Sequence, residues 1–357
     1  MSFTAEELRI INTGKNQPSV SIVMPVFPGD INYRIRQAER QVHKALSKAY
    51  PEDVVKAIAT RLQAVIDGID MSLLKKSLAI YISPQFSELF HLDIAVDEKI
   101  AINQSFKIRD LVYARQESVQ FLVVLLSSCQ ARILLIDSGR ISSIPGDIAP
   151  DITAEENDIA AKVGNFSDPE KRKEILLDKF LHRVDERLSA ILNRNPLPVF
   201  IVGAKRETGH FAGITHNGGQ IASTIHGSYN DIPDHELTDL LKPYIKNWKQ
   251  SKETALLQQL EDAQSLSLVD FGIHMVWKTA NEKNARLLVV EKTYQYPAEY
   301  VTPAVIRQNP ASSENTLFVK DAVDDVIEKV ISDGGDVRFV DAGVLSKYLH
   351  IALIRYF

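Results

Sequence analysis

Three consecutive α/β domains are what this sequence predicts, on three observations. Apolar runs of roughly 4–8 residues, the length of a buried strand, alternate with longer stretches whose apolar residues recur every three or four positions. The chain has 357 residues, enough for two or three domains at roughly 100–200 residues each. The alternation breaks in polar sequence near Tyr113 and Lys252, which divides the chain into 1–113, 114–252 and 253–357. Hydrophobic residues make up 45% and charged residues 24%, so packed cores are expected rather than a disordered or collagenous chain. The single cysteine, Cys129, lies in an apolar stretch and rules out an internal disulfide framework.

In the first segment, Val20 to Pro25 reads as a buried strand, and Asp30 opens a helix from about Ile31 to Ala49. Pro51 to about Ile69 is a second helix, with Val54, Val55, Ile58, Leu62, Val65 and Ile66 on one face. Leu78 to Ile82 is the next strand, closed by Ser83-Pro84, and strand-like sequence continues to about Ile108.

The second segment starts with two apolar strands, Val119 to Leu126 and Ala131 to Ile136, with Asp137-Ser138-Gly139-Arg140 as the exit turn. A polar loop from Pro145 to Ser167 follows. Ser167-Asp168-Pro169-Glu170 then opens the clearest helix of the chain, whose apolar stripe is Leu176, Phe180, Leu181, Val184, Leu188, Ile191 and Leu192. Pro198 to Ala204 is a buried strand. Gly203 to Gly227 is rich in glycine and reads as loop, and a helix begins at about Pro233.

In the third segment a helix is expected around Val269 to Ala280, a strand at Leu287 to Val290, and a helix from Asp321 to Ile331 that ends at Gly334-Gly335. Val337 to Val340 and Ile351 to Ile354 are the closing strands. No repeat and no low-complexity tract interrupts the pattern.

Basic residues number 41 and acidic residues 46, a net charge of −5 that on its face disfavours a nucleic-acid partner. The segments differ: 14 basic against 13 acidic in the first, 17 against 18 in the second, 10 against 15 in the third. The acidity is thus confined to the C-terminal segment. The longest strongly apolar run, Phe121 to Leu126, is far short of the roughly 20 residues that span a bilayer. Glu6 and Glu7 stand where a signal peptide carries base, so a cytoplasmic protein without a membrane partner is expected.

Arg36, Arg40, Lys44 and Lys48 are spaced by four and form one basic ridge on the first helix. It reads either as a solvated face or as a ridge that tracks the phosphates of RNA. Lys242, Lys246, Lys249 and Lys252 form a second cluster, beside Tyr244 and Trp248, which share a spacing with Leu241 and Ile245 and read as core. His210, His216 and His226, with Asp231, Asp234 and His235, match no compact ligand motif, so no metal is expected. Gly-x-Ser-x-Gly, Gly-x-Gly-x-x-Gly and Walker loops are absent, and no cofactor is expected.

Gly218-Gly219-Gln220 remains. This tripeptide is the catalytic signature of class-1 translation termination factors, in which the glutamine orients water onto the peptidyl-tRNA ester. Val269-Asp270-Phe271-Gly272-Ile273, Trp277 to Ala280 and Ala285 to Glu291 resemble the start of the C-terminal domain of archaeal and eukaryotic release factors and of Pelota. Ser19 to Pro25 with Leu78 to Pro84, Pro198 to Gly203, and Asp321 to Tyr356 extend the likeness to all three segments, and it is to the bacterial branch of the family, which includes Balon-like ribosome hibernation factors. The resemblance implies an N-terminal decoding-like domain, an RNase H-like middle domain and a ribosomal-protein-like α/β/α C-terminal domain that contacts a translational GTPase such as elongation factor Tu.

Two departures stand out. In the family, Gly-Gly-Gln precedes the long helix of the middle domain, in the loop that is Pro145 to Ser167 here; that loop holds no such tripeptide, and Gly218-Gly219-Gln220 comes after the helix. The codon-reading Asn-Ile-Lys-Ser is also missing, and Asn32-Tyr33-Arg34 does not replace it. The resemblance therefore implies a protein that binds the ribosomal A site and its rRNA, not DNA, in hibernation or stress and without hydrolysis. Two alternatives stay open: a rescue or release factor that hydrolyses peptidyl-tRNA with a displaced Gln220, and a non-ribosomal protein-binding scaffold.

Overall fold

Leu78 to Ile82 are all buried, and so are Val20 to Val23, because both strands lie in the middle of a sheet covered on its two faces. The computed structural model describes residues 10, 17–27, 29–118, 120–127, 130–144, 169–229, 232–302, 305–308 and 321–357; Cys129 and the loop expected from Pro145 to Ser167 lie outside them. The chain forms two compact units, one of residues 1–117 with 256–357 and one of residues 118–255.

The N-terminal part of the first unit holds β1 (Ser19–Pro25), α1 (Ile31–Ala49), α2 (Glu52–Asp67), β2 (Ser77–Ile82), β3 (Ser87–Leu92), β4 (Lys99–Asn103) and α3 (Arg109–Glu117). Its strands make an antiparallel sheet in the order β3-β2-β1-β4. Ile22 and Ile80 face Ile35, Val42 and Leu46 of α1 and Ile58 and Leu62 of α2. Alternate residues, Val23, Ala79 and Tyr81, point to the other face, as the period of two requires.

The second unit holds β5 (Phe121–Leu126), β6 (Ala131–Asp137), β7 (Arg140–Ser143), α4 (Pro169–Leu192), β8 (Val199–Gly203), α5 (Lys205–Ile214), β9 (Ile221–His226) and most of α6 (Asp234–Ser265). Its sheet has the order β7-β6-β5-β8-β9. β6 runs antiparallel to β5 and β7, while β8 and β9 are parallel to β5. Counted from its first strand this is 3-2-1-4-5, the arrangement expected of an RNase H-like domain. Leu122, Val124 and Leu126 pack on Phe180, Leu181 and Leu188 of α4. Phe121, Val123 and Leu125 pack on Leu237 and Leu241 of α6. Gly203 permits the close pairing of β5 and β8, since a Cβ there would lie 2.5 Å from the Leu126 carbonyl oxygen.

The C-terminal part of the first unit holds β10 (Val269–Phe271), α7 (Ile273–Asn281), β11 (Ala285–Glu291), β12 (Ala298–Thr302), β13 (Val305–Gln308), α8 (Ala322–Ser332), β14 (Asp336–Val340) and β15 (Ile351–Arg355). Its sheet has the order β10-β15-β11-β14, with β12 and β13 as a separate hairpin. One face packs on α7 and α8. The other packs on Leu256, Leu257 and Leu260 at the end of α6, which gives the expected α/β/α layering.

The two chain ends share a core. Phe106, Ile108, Leu111 and Val112 cluster with Val323, Ile327, Val337 and Phe339. Gln116 pairs through its amide with both backbone groups of Phe339, donating to its oxygen at 2.6 Å and accepting from its nitrogen at 2.8 Å, and so occupies the open edge of β14. Arg109 is buried between the segments. It donates to the Glu291 and Lys292 carbonyls and faces Asp321 at 3.5 Å and Asp324 at 3.9 Å. Lys107 pairs with Asp325 at 2.5 Å.

Several local expectations are corrected. The Gly203 to Gly227 stretch is not a loop throughout, because it forms α5 and β9; Thr208 and Phe211 are buried, while Gly209 and Gly213 fall on the exposed face. Val269 to Phe271 is a strand paired with β15, and helix begins only after Gly272, whose positive φ of 71° turns the chain. Arg140 is not in the exit turn but starts β7. The sequence around Tyr113 forms α3, and that around Lys252 lies inside α6.

Candidate functional site

α1 buries Ile31, Ile35, Ala38, Val42, Ala45 and Leu46 along one side. That fixes the other side in solvent, and Arg36, Arg40, Lys44 and Lys48 are all exposed there, as one ridge. Arg36 is engaged within the protein: it donates to Glu39 and Gln63 and lies 3.9 Å from Asp67. Arg40, Lys44 and Lys48 have no ion-pair partner among the described residues, which leaves three uncompensated cations on one helical face.

The α6 lysines are more dispersed in role. Lys242 is exposed and paired with Asp239 at 2.6 Å, Lys246 is exposed, and Lys249 is half-buried and engaged. Lys252 lies over the Trp248 ring at 5.8 Å. Tyr244, Ile245 and Trp248 pack against the second unit's core, as their spacing predicts.

Gly218-Gly219-Gln220 forms a single tight turn between α5 and β9, with all three residues exposed. The turn is tied down immediately before the tripeptide. Asp185 of α4, its side chain 3% exposed, accepts hydrogen bonds from Thr215 Oγ1 (2.5 Å), the His216 backbone nitrogen (3.1 Å), and Asn217 Nδ2 (2.9 Å); its other partner is His216 Nδ1 at 2.9 Å. Asn217 Nδ2 also reaches Ser189 Oγ at 2.8 Å, and the Gln220 nitrogen closes onto the Asn217 carbonyl at 3.0 Å. Burial alone would raise the Asp185 carboxyl, but the hydrogen bonds from Thr215, His216 and Asn217 outweigh it and hold it below its ordinary value. Neither glycine adopts a positive φ, and a Cβ on either would meet nothing within 4 Å. Gln220 is thus accessible, but it sits on a short anchored turn rather than on a long arm.

The histidines are taken up separately. His216 holds Asp185, His226 Nδ1 lies 3.1 Å from Thr208 Oγ1, His210 lies 3.7 Å from Glu174, and His235 lies 3.9 Å from Glu236. Asp231 lies outside the described residues, and Asp234 is exposed at the start of α6. Among the described residues no group of three or more His, Cys, Asp or Glu side chains is arranged to hold a metal ion.

Three features of the structure go beyond the expected site residues. Asp185 lies beside the apolar Val184 in the α4 stripe, and nothing in the spacing announces its four partners. Arg109 and Asp321 meet across 212 positions of sequence. Tyr33 is different, because the four- and three-residue steps through Gln37, Arg40 and Lys44 place it in line with the ridge, and the residue is 68% exposed.

Residues 120–284 match the family model of bacterial archaeo-eukaryotic release factor family 3. The match spans the five-stranded sheet, Pro198 to Gly203 and Val269 to Ala280, and over that stretch the resemblance to the bacterial branch of the release factors holds. No curated protein matches. Among solved structures, ribosome-bound archaeal Pelota, described together with ABCE1, is 13% identical, with 76% of this chain and 72% of that chain covered and a TM-score of 0.43. S. cerevisiae Dom34, a termination-like factor described as interacting with Hbs1, is 16% identical over 79% and 74% of the two chains, at a TM-score of 0.41. The archaeal termination factor aRF1 is 13% identical over 99% of each chain, at 0.25. These likenesses carry no argument about the fold, which rests on the sheet topologies.

Proposed function

We propose that this chain is a release-factor-like protein that binds the ribosomal A site and does not hydrolyse peptidyl-tRNA there, and that it acts in the cytoplasm during hibernation or stress. The observation that carries the reading is the family match over residues 120–284, which joins the middle unit to release factors while the expected loop of that unit lacks Gly-Gly-Gln. The α1 ridge supports it, since three unpaired cations suit the phosphates of rRNA. Lys242 and Lys246 are further candidates for rRNA contact, and Lys249 stands beside them. A translational GTPase such as elongation factor Tu is a second proposed partner, through the acidic C-terminal segment and its exposed Phe271, Met275 and Leu349. No helix among the described residues is long and apolar enough to cross a membrane.

Sedimentation of the full chain with stationary-phase or cold-shocked ribosomes tests the reading. Co-migration at low salt is expected, weakened at high salt and by the triple change Arg40→Glu, Lys44→Glu and Lys48→Glu. Absence of co-migration at low salt would sink it.

A second reading, hydrolysis of peptidyl-tRNA through Gln220, is favoured by the exposure of Gly218, Gly219 and Gln220. Release of labelled peptide from stalled ribosomes decides between the two. Release by wild type that is lost in Gln220→Ala establishes hydrolysis, and equal rates exclude it.

A further inference from the structure

We propose that the α1 face binds unpaired RNA, with Tyr33 as the platform on which one base stacks and Arg40, Lys44 and Lys48 as its phosphate contacts. The proposal rests on the ribosomal reading for its choice of RNA, and it adds which form of RNA this surface takes. Tyr33, Gln37, Arg40, Lys44 and Lys48 follow one another by four, three, four and four residues, so they lie on one stripe of the helix, opposite the buried Ile35, Val42 and Leu46. From Tyr33 to Lys48 the stripe is about 22 Å long at 1.5 Å per residue.

The tyrosine is free for a ligand. Its ring makes no aromatic contact and its hydroxyl no hydrogen bond among the described residues, and it takes no part in the core beneath the helix. A lone exposed tyrosine is ordinary; one that heads a row of three unpaired cations is the composition of a single-strand track, an aromatic face beside a positive path. The neighbouring acids do not quench that path. Glu39 and Asp67 face Arg36, and Glu98 pairs with Arg34, which leaves Asp30 at the helix start and Glu52 and Asp53 just beyond its end, none of them ion-paired with Arg40, Lys44 or Lys48. Phe27, 51% exposed, adds a second aromatic surface near that end, with Arg34 over its ring at 5.1 Å.

A duplex keeps its base faces inside the stack and presents phosphates and sugar hydroxyls, so it offers Tyr33 nothing to stack upon. An unpaired strand offers both the base face and the phosphates. A ridge that merely attracts phosphates would favour the more densely charged duplex, so a preference for the single strand gives the test.

Fluorescence anisotropy of the full chain with labelled oligouridylate, and with an RNA duplex of equal phosphate count, measures the preference. The single strand is expected to bind more tightly. Tyr33→Ala should weaken single-strand binding about 5- to 150-fold and leave duplex binding unchanged, while Tyr33→Phe keeps the wild-type affinity. Lys44→Gln should flatten the single-strand salt slope by about 0.7 without altering the preference. Equal or tighter duplex binding, or a Tyr33→Ala variant that binds oligouridylate as wild type does, overturns the proposal even where ribosome co-sedimentation persists. Oligouridylate binding that depends on Tyr33 in a protein that ignores ribosomes upholds the track and refutes the ribosomal reading. Failure to bind either refutes both.

Discussion

Two buried aspartates, one in each unit, are pushed in opposite directions by their surroundings. Asp185 gathers donors from Thr215, His216 and Asn217, which overcome its burial and keep it low. The contribution of those bonds to the second unit is present above the unfolded value of 3.8 and is lost as pH falls through the lower folded value. Asp321 is the reverse case. Burial first, then the nearby Asp324 carboxylate, raise it to about 6 against the opposing pull of Arg109 and of the Tyr296 and Val323 backbone donors. A raised carboxyl binds its proton more readily folded than unfolded, so the first unit gains stability as pH falls from about 6 towards 3.8. That gain is expected to be on the order of 1–3 kcal/mol. Asp321→Asn keeps an oxygen for the two backbone donors and removes this titration, so its stability should rise less than that of wild type as pH falls across this window. Urea denaturation of both proteins at pH values above and below the window checks it, and an equal pH dependence in the two would refute the assignment.

Helices and strands were legible where one face decides them. α1, α2, α4 and α8 each carry apolar residues at three- and four-residue spacing, and their bounds lie within a few residues of those expected. α5 was illegible because Gly209 and Gly213, poor helix formers by about 1 kcal/mol each, sit in solvent, while its apolar contact with the core comes from Phe211 with Ile214 beside it. α3 was hidden because its apolar Leu111 and Val112 find their partners in the third segment. Glycines that looked alike in sequence also differ in kind. A Cβ on Gly335 would lie 2.5 Å from the Ala285 carbonyl oxygen and 2.7 Å from Val330 Cγ1, and backbone cannot move aside cheaply. Gly335→Ala is therefore expected to cost about 1–3 kcal/mol, whereas Gly218→Ala, with open space around it, should stay within about 0.5 kcal/mol of wild type. Denaturation midpoints of the two variants measure the contrast, and the stable Gly218→Ala protein then serves for peptide-release assays.

At the scale of the molecule, the three-segment pattern was readable, since each segment carries its own sheet, but the partnership of the chain ends was not. Lys107 and Asp325 are 218 positions apart, and Gln116 and Phe339 are 223 apart, and no periodicity relates residues at such separations. A chain ending at residue 255 loses the partners of Phe106, Ile108, Leu111 and Val112 and leaves Arg109 and Lys107 without their acids. Its residues 99–117 should become sensitive to limited proteolysis, while the second unit keeps its own unfolding transition. Protection equal to that of the full chain would show that the N-terminal part needs no partner. The shared core also sets an order of events during synthesis. The first 117 residues leave the ribosome early, but the strand and helix that complete their core are encoded some 200 residues later, a delay of roughly 10–40 s at about 5–20 residues per second. During that interval the middle unit can finish folding while Leu111 and Val112 of α3 still lack their C-terminal partners, so slow synthesis between residues 117 and 320 lengthens the time for which that apolar surface is incomplete.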